Sequence, residues 1–271
     1  MRVLLICHHD AELHREVVAP WIASWSTLCG ILVVREPRGS LVRRARREMR
    51  RVGPAGLVDV AAFRAYYRLA LAHKDSEWQA GRLKELRQHF PVIPADVPTR
   101  TVSTPNSTEA ERFISDAAPD LVIALCKNIL AERIFSIPPL GTFVLHPGIC
   151  PEYRNAHGCF WALVRRDLDN VGLTVLRIDR GIDTGPVFGY FRASYDERTE
   201  SHRVIQDRML LDNLDAIRDC FRAIASGRAR PLSVAGRASA TWGQPRFTSY
   251  LSWKRATRRG AALEQAPAVA D

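Results

Sequence analysis

No stretch of this chain is apolar for long enough to cross a bilayer. The longest runs, Leu121 to Cys126 and Ile31 to Val34, fall far short of the roughly 20 residues a spanning helix needs. A secretory pattern is missing too, because the short apolar run Val3 to Cys7 leads directly into His8, His9 and Asp10. The six cysteines (Cys7, Cys29, Cys126, Cys150, Cys159, Cys220) show no paired spacing. Several sit in apolar stretches, where a free thiol behaves as a small hydrophobe. No disulfide framework is expected, and the reading is a reducing, cytoplasmic compartment. No glycine-rich fingerprint follows the first apolar run, which argues against a dinucleotide site. No segment repeats.

What is present is ordinary for a folded protein: 46% hydrophobic and 25% charged residues in 271 positions, enough chain to bury a full core. The net charge of +10 is uneven. Residues 43–51 read Arg-Arg-Ala-Arg-Arg-Glu-Met-Arg-Arg, and Lys254, Arg255, Arg258 and Arg259 follow near the end. Such clusters attract phosphates, nucleic acid or an anionic membrane, or else form a solvated helix face. No aromatic residue interrupts the arginine run, as a single-strand stacking platform would require.

Apolar periodicity predicts strands at Arg2 to Cys7, Ile31 to Val34, Val97 to Val102, Leu121 to Cys126, Thr142 to Leu145, Val171 to Ile178 and Val187 to Ala193. Helices are predicted from Glu12, after Asn106 as the cap, at Ala131 to Phe135 and at Asn155 to Arg166. One last long helix carries Leu210, Leu214, Ile217, Phe221 and Ile224, with Gly227 just past its end. Alternating strands and helices give a doubly wound, mostly parallel α/β sheet. Residues 41–90 read as a basic helical insertion, with Phe63, Tyr66, Tyr67, Leu69 and Leu71 as packing residues. Residues 1–227 read as the catalytic unit, and 228–271 as a tail without a domain of its own. In such sheets ligands lie at the carboxyl ends of strands, which gathers His8-His9-Asp10, Cys126-Lys127-Asn128, His146 to Tyr153 and the loop around Asp183.

Two segments carry chemistry. Leu145-His146-Pro147-Gly148-Ile149-Cys150-Pro151-Glu152-Tyr153-Arg154 ends a strand in a proline-stiffened turn, a rigid mount for a general base. Arg180-Gly181-Ile182-Asp183-Thr184-Gly185-Pro186 offers a carboxylate that orients an imidazole and stabilises its protonated form. Each alone also reads as a turn or a backbone-satisfying histidine. Together, with 37 positions between His146 and Asp183, they resemble the folate-dependent formyltransferase family that includes the glycinamide ribonucleotide and methionyl-tRNA enzymes. The resemblance covers roughly Pro119 to Gly227.

It implies formyl transfer from 10-formyltetrahydrofolate to an amine, with His146 and Asp183 handling the proton. It also implies a pterin gripped by backbone at Cys126, Lys127, Ile129 and Leu130 and at Arg180, Gly181 and Ile182. The acceptor would meet His8, His9, Tyr153 and Asn155. The family carries an asparagine two residues before its histidine, where this chain has Val144. Valine cannot donate to a developing oxyanion. Three readings stand: another donor replaces it, with Asn128 and His157 favoured over Lys127 and Asn155; a different one-carbon or acyl donor is used; or the chain binds folate without turnover. His157 also reads as a helix-cap residue, and Lys127 as a solvated lysine.

Cys7-His8-His9-Asp10 echoes zinc deacetylases, but only one acid follows and no third ligand is spaced for it, so no metal is expected. About forty residues follow the last predicted helix. That length favours a small amine acceptor, an amino sugar or amino-acid-like metabolite, with or without phosphate, over tRNA. Trp242, Tyr250 and Trp253 either close over that acceptor or pack on the domain.

Overall fold

In a computed structural model that describes residues 1–37, 40–90 and 92–264, the chain begins with β1 (Arg2–His8), α1 (Ala19–Trp25) and β2 (Thr27–Val34). Two helices follow, α2 (Ser40–Tyr66) and α3 (Ala72–Arg87), and then β3 (Thr99–Val102), α4 (Thr108–Ala117), β4 (Leu121–Leu125), α5 (Glu132–Phe135) and β5 (Thr142–His146). The second half runs β6 (Arg154–Asn155), α6 (Gly158–Val164), β7 (Leu173–Arg177), β8 (Val187–Phe191), α7 (His202–Leu211), α8 (Leu214–Ala225), β9 (Thr241–Trp242) and α9 (Phe247–Glu264).

Seven strands form one sheet in the order β3-β2-β1-β4-β5-β7-β8, parallel from β3 to β5 and antiparallel at β7 and β8. β1 sits in the middle because it is apolar on both faces. Val3, Leu5 and Cys7 join the larger core beneath α1, α6, α7 and α8, whereas Leu4 and Ile6 pack beneath α4 and α5. The chain winds outward from β1 through β2 to β3, then crosses to β4 on β1's other side. This makes the β1/β4 gap the switch point where a crevice must open. Lys127 N–H donates across that gap to His8 Nε2 at 2.8 Å.

The segment 41–90 is helical, as its sequence predicts, and bends at Gly53-Pro54. Gly53 leaves the helix at φ 70°, and the proline that follows cannot donate to the preceding turn. It docks through Phe63, whose ring lies 5.8 Å from Phe160, 5.4 Å from His202 and 5.4 Å from Tyr250. Leu69, expected to pack, is 89% exposed. In the arginine run, Arg46, Arg50 and Arg51 are exposed, and the side chains at 43, 44 and 47 lie outside what is described.

Several predicted boundaries are corrected. Ser107, not Asn106, caps α4 by accepting from Ala110 N–H at 3.1 Å. Asn106 instead donates to Ile129 O and accepts from Ala131 N–H, pinning the loop after β4. The helix predicted from Asn155 starts at Gly158, and Asn155 pairs with Trp242 in β6/β9. The single helix expected through Leu210 and Ile224 breaks at Asp212 and Asn213 into α7 and α8. Gly227 does close α8. At φ 70° it lets its own N–H reach Ile224 O and the N–H of Arg228 reach Ala223 O. Residues 265–271, the alanine-rich end, lie outside the described residues. All six cysteines are free, and no described helix is long and apolar enough to cross a membrane.

Candidate active site

β5 ends at His146, and the chain turns back at once, with Gly148 N–H donating to His146 O at 2.9 Å. The imidazole is 3% exposed. Its Nε2 lies 2.7 Å from the carbonyl of Tyr153. A carbonyl only accepts, so Nε2 carries the hydrogen and Nδ1 of the neutral ring is a bare lone pair. That lone pair faces Asp183 Oδ2 at 3.4 Å. Two acceptors facing each other become attractive when a proton arrives between them, so the pair is built to receive one. Asp183 Oδ2 also accepts from Asn155 N–H at 2.7 Å, which fixes the carboxylate beside the ring.

The turn closes tightly because of two glycines. A Cβ on Gly158 would lie 2.6 Å from Gly148 Cα and 2.8 Å from Tyr153 O, the atom that fixes His146. On the second loop Asp183 adopts φ 51°. The bend that places it is tied by Asp179, whose Oδ1 accepts from Gly181 N–H at 2.9 Å and Thr184 Oγ1 at 2.8 Å. Asp179 was missed in the sequence, although an aspartate two residues before a glycine is an ordinary turn signal.

The tail belongs to the site. β9 pairs with β6, placing Thr241 opposite Arg154 and Trp242 opposite Asn155. Trp242 stacks on Tyr153 (5.6 Å, 17°) and donates from Nε1 to Glu152 O at 2.8 Å. Arg237 grips Glu152 with both arms at 2.8 and 2.7 Å. Tyr153 therefore enters the site by its carbonyl, while its ring is buried and its hydroxyl donates to Asp167 at 2.7 Å. Tyr250 and Trp253 are buried packing residues.

Arg180 bonds Glu132, the first residue of α5, at 3.1 and 2.8 Å, which ties the loop at 180–182 to the helix that follows the loop at 126–130. Each loop presents an exposed isoleucine, Ile129 (61%) and Ile182 (40%), and Arg154 holds Ile182 O at 3.0 Å. Asn128 Oδ1 is buried without a partner. Cys126 in the same loop is no nucleophile, since burial pushes its thiol up to about 12. Val144 packs against the buried cluster of Cys150, Leu176 and Val187, an apolar patch where the family asparagine would stand.

His157 is the residue that caps α6, at φ 56°, with Nδ1 buried and unpartnered. Burial first, then the charges of Arg203, Lys127 and Arg64, push it down to about 3, so it stays neutral. His202, its ring 5.9 Å away, is also held well below the usual range, chiefly by burial. His8 is buried, and its Nε2 is used by Lys127. His9 lies 2.5 Å from Arg35. Among the described residues, no group of three or more His, Cys, Asp and Glu is arranged to hold a metal. The zinc-like motif therefore does not gather a ligand set.

A sequence profile described as formyl transferase matches residues 67–213, just over half of the 271 positions. The methionyl-tRNA formyltransferase of Phocaeicola vulgatus is 29% identical over 113 residues, 42% of this chain and 34% of that protein. That of Pelobacter propionicus is 28% identical over 140 residues, covering 50% and 42%. The matches thus span well under half the length of these curated relatives. A sugar N-formyltransferase from a Shewanella species aligns in three dimensions over 93% of this chain and 87% of its own (TM-score 0.54, 13% identity). A phosphoribosylglycinamide formyltransferase from Anaplasma phagocytophilum does so over 90% and 99% (TM-score 0.54, 15% identity), a likeness of fold. With the profile spanning the β4, β5, His146 and Asp183 segments, this chain belongs to the formyl transferase family.

Proposed function

We propose that the chain moves a formyl group from 10-formyltetrahydrofolate to the amine of a small molecule, an amino sugar or an amino-acid-like metabolite. The observation that carries this reading is the ring orientation of His146, whose Nδ1 is aimed at Asp183 because Nε2 is committed to Tyr153 O. The pterin lies between the loops at 126–130 and 180–182, in contact with Cys126, Lys127, Ile129, Leu130, Arg180, Gly181 and Ile182. The amine attacks the formyl carbon and a tetrahedral intermediate forms. The proton shed by the attacking nitrogen passes to His146 Nδ1 beside Asp183, and is returned to the departing folate nitrogen as the carbonyl re-forms. Asn128 supplies the amide that Val144 lacks, because its buried, unpartnered group lies on the loop beside β5. Side-chain oxygen and nitrogen of such an amide exchange places by a simple flip. Residues 1–227 form the catalytic unit, and Trp242 completes it from the tail.

Incubation with 10-formyltetrahydrofolate and a panel of amines tests this. Donor consumption with a matching amine is expected, and its loss in His146→Ala with the fold retained. A second reading, folate binding without turnover, is favoured by the apolar surroundings of Val144. Tetrahydrofolate binding with no donor consumption across the panel would select it.

A further inference from the structure

We infer that the outer face of α2 docks the chain on an anionic membrane surface. The inference stands on this helix and does not depend on the proposed formyl transfer. A surface helix ordinarily turns its apolar residues inward and its charged ones outward. α2 turns Val60 and Phe63 inward, where both are buried. Its outward side is apolar as well. Ala55, Val58, Ala62, Ala65 and Leu69 follow one another at intervals of three and four, so they share one helix face, and all five are exposed. Val58 is 69% exposed and Leu69, in the π-helical turn that continues α2, is 89% exposed. Met49, one helical segment earlier, is 41% exposed.

The charge on this face has one sign. Among the described residues from Arg46 to Ala70, every exposed side chain is apolar or an arginine, the arginines being Arg46, Arg50, Arg51, Arg64 and Arg68. The sequence adds Arg43, Arg44 and Arg47 to the same helix. The acids of that stretch are only partly exposed and already engaged. Glu48 lies 3.6 Å from Arg51, and Asp59 accepts from Thr248 of α9, from its N–H at 3.0 Å and its hydroxyl at 2.5 Å.

Apolar side chains and arginines without free acids make the pattern of a helix lying in a bilayer interface. The apolar side enters the acyl boundary and the guanidinium groups meet anionic headgroups. Duplex nucleic acid would reward the arginines and give Val58 and Leu69 nothing. A second copy would cover the stripe but set arginines beside arginines. A bilayer satisfies both features at once. No described helix is long and apolar enough to cross it, so the contact is along the surface. Alanines add little apolar area, so anchoring falls to Met49, Val58 and Leu69 together with the arginines, and binding is reversible and salt-sensitive.

Flotation of the full chain with vesicles of phosphatidylcholine, with and without phosphatidylserine, tests the inference. Binding to the phosphatidylserine vesicles alone is expected, weakening as salt rises. Val58→Asp and Leu69→Asp should each lower it about tenfold or more, with the thermal midpoint unchanged because both side chains are exposed. Arg46→Gln and Arg50→Gln should each lower it about fivefold, and the exposed Arg222→Gln on α8 not at all. Should Val58→Asp fail to fold, Leu69→Asp carries the comparison. Absence of flotation, or flotation indifferent to both aspartates, overturns the inference. In the absence of flotation, a dimer that Leu69→Asp splits gives the face to a second copy, and duplex RNA binding gives it to nucleic acid.

Discussion

A carbonyl oxygen has no proton to give, so the 2.7 Å contact between Tyr153 O and His146 Nε2 decides which nitrogen of the neutral ring is left with its lone pair free. That contact depends on Gly158, since any side chain there meets backbone at 2.6 and 2.8 Å, and backbone cannot swing aside. Gly158→Ala should therefore shift Tyr153 O. It should lower transfer by on the order of 10²-fold, the scale of a displacement of about 1 Å at a reacting centre, and lower the thermal midpoint as well. Both are read from a rate assay and a melt. Asn128 makes the opposite kind of prediction. Its amide oxygen is buried and unsatisfied, which costs stability. Asn128→Ala should leave the fold as stable or more so while cutting kcat by about 10²- to 10³-fold, as loss of an oxyanion donor does. An unchanged kcat assigns the oxyanion to another group.

The segment from Arg237 to Trp242 acts as one clamp on the turn that carries Glu152, Tyr153 and Asn155. Trp242→Ala should reduce kcat by about tenfold or more with little change in KM for the folate, because it loosens positioning rather than binding. Trp242→Phe should recover much of the loss through its ring. How much of this was readable beforehand varies by element. The core strands were plain, because β1 and β4 are apolar without interruption and only a strand covered on both faces is so. The meeting of His146 and Asp183 was readable as well, since two short motifs at the family's separation name both residues, and the structure sets them 3.4 Å apart. The break between α7 and α8 was not, because Leu210, Leu214 and Ile217 keep helical spacing straight through Asp212 and Asn213. Asn106 and Ser107 both suit a cap, and only the demand of the loop at 129–131 separates them. The clamp was invisible because it is made by main-chain pairing and by a tryptophan whose partner is 89 positions away, and neither leaves a local pattern.

Across the molecule, four histidines are pushed below their usual range, each chiefly by burial: His8, His14 to about 4, His157 to about 3, and His202 well below it. Their folded values lie below the unfolded value near 6.5, so the unfolded chain binds more protons in that window. Their contribution is therefore complete above pH 6.5 and is lost as pH falls toward 4, each at up to about 1.4 kcal/mol per pH unit. Asp207, pushed up to about 6 by burial, acts in the opposite sense: the stability it gives at low pH is lost as pH rises through 6. Four against one, stability should fall on acidification from 6.5 to 4, and His202→Asn should flatten that slope in denaturant titrations at several pH values. The pairing of His146 Nδ1 with Asp183 is most directly examined with Asp183→Asn, which keeps the shape and removes the charge. Donor consumption with a matching amine should fall by on the order of 10²- to 10⁴-fold while tetrahydrofolate binding is retained. Transfer by Asp183→Asn at the wild-type rate would contradict the whole assignment of proton handling to these two side chains.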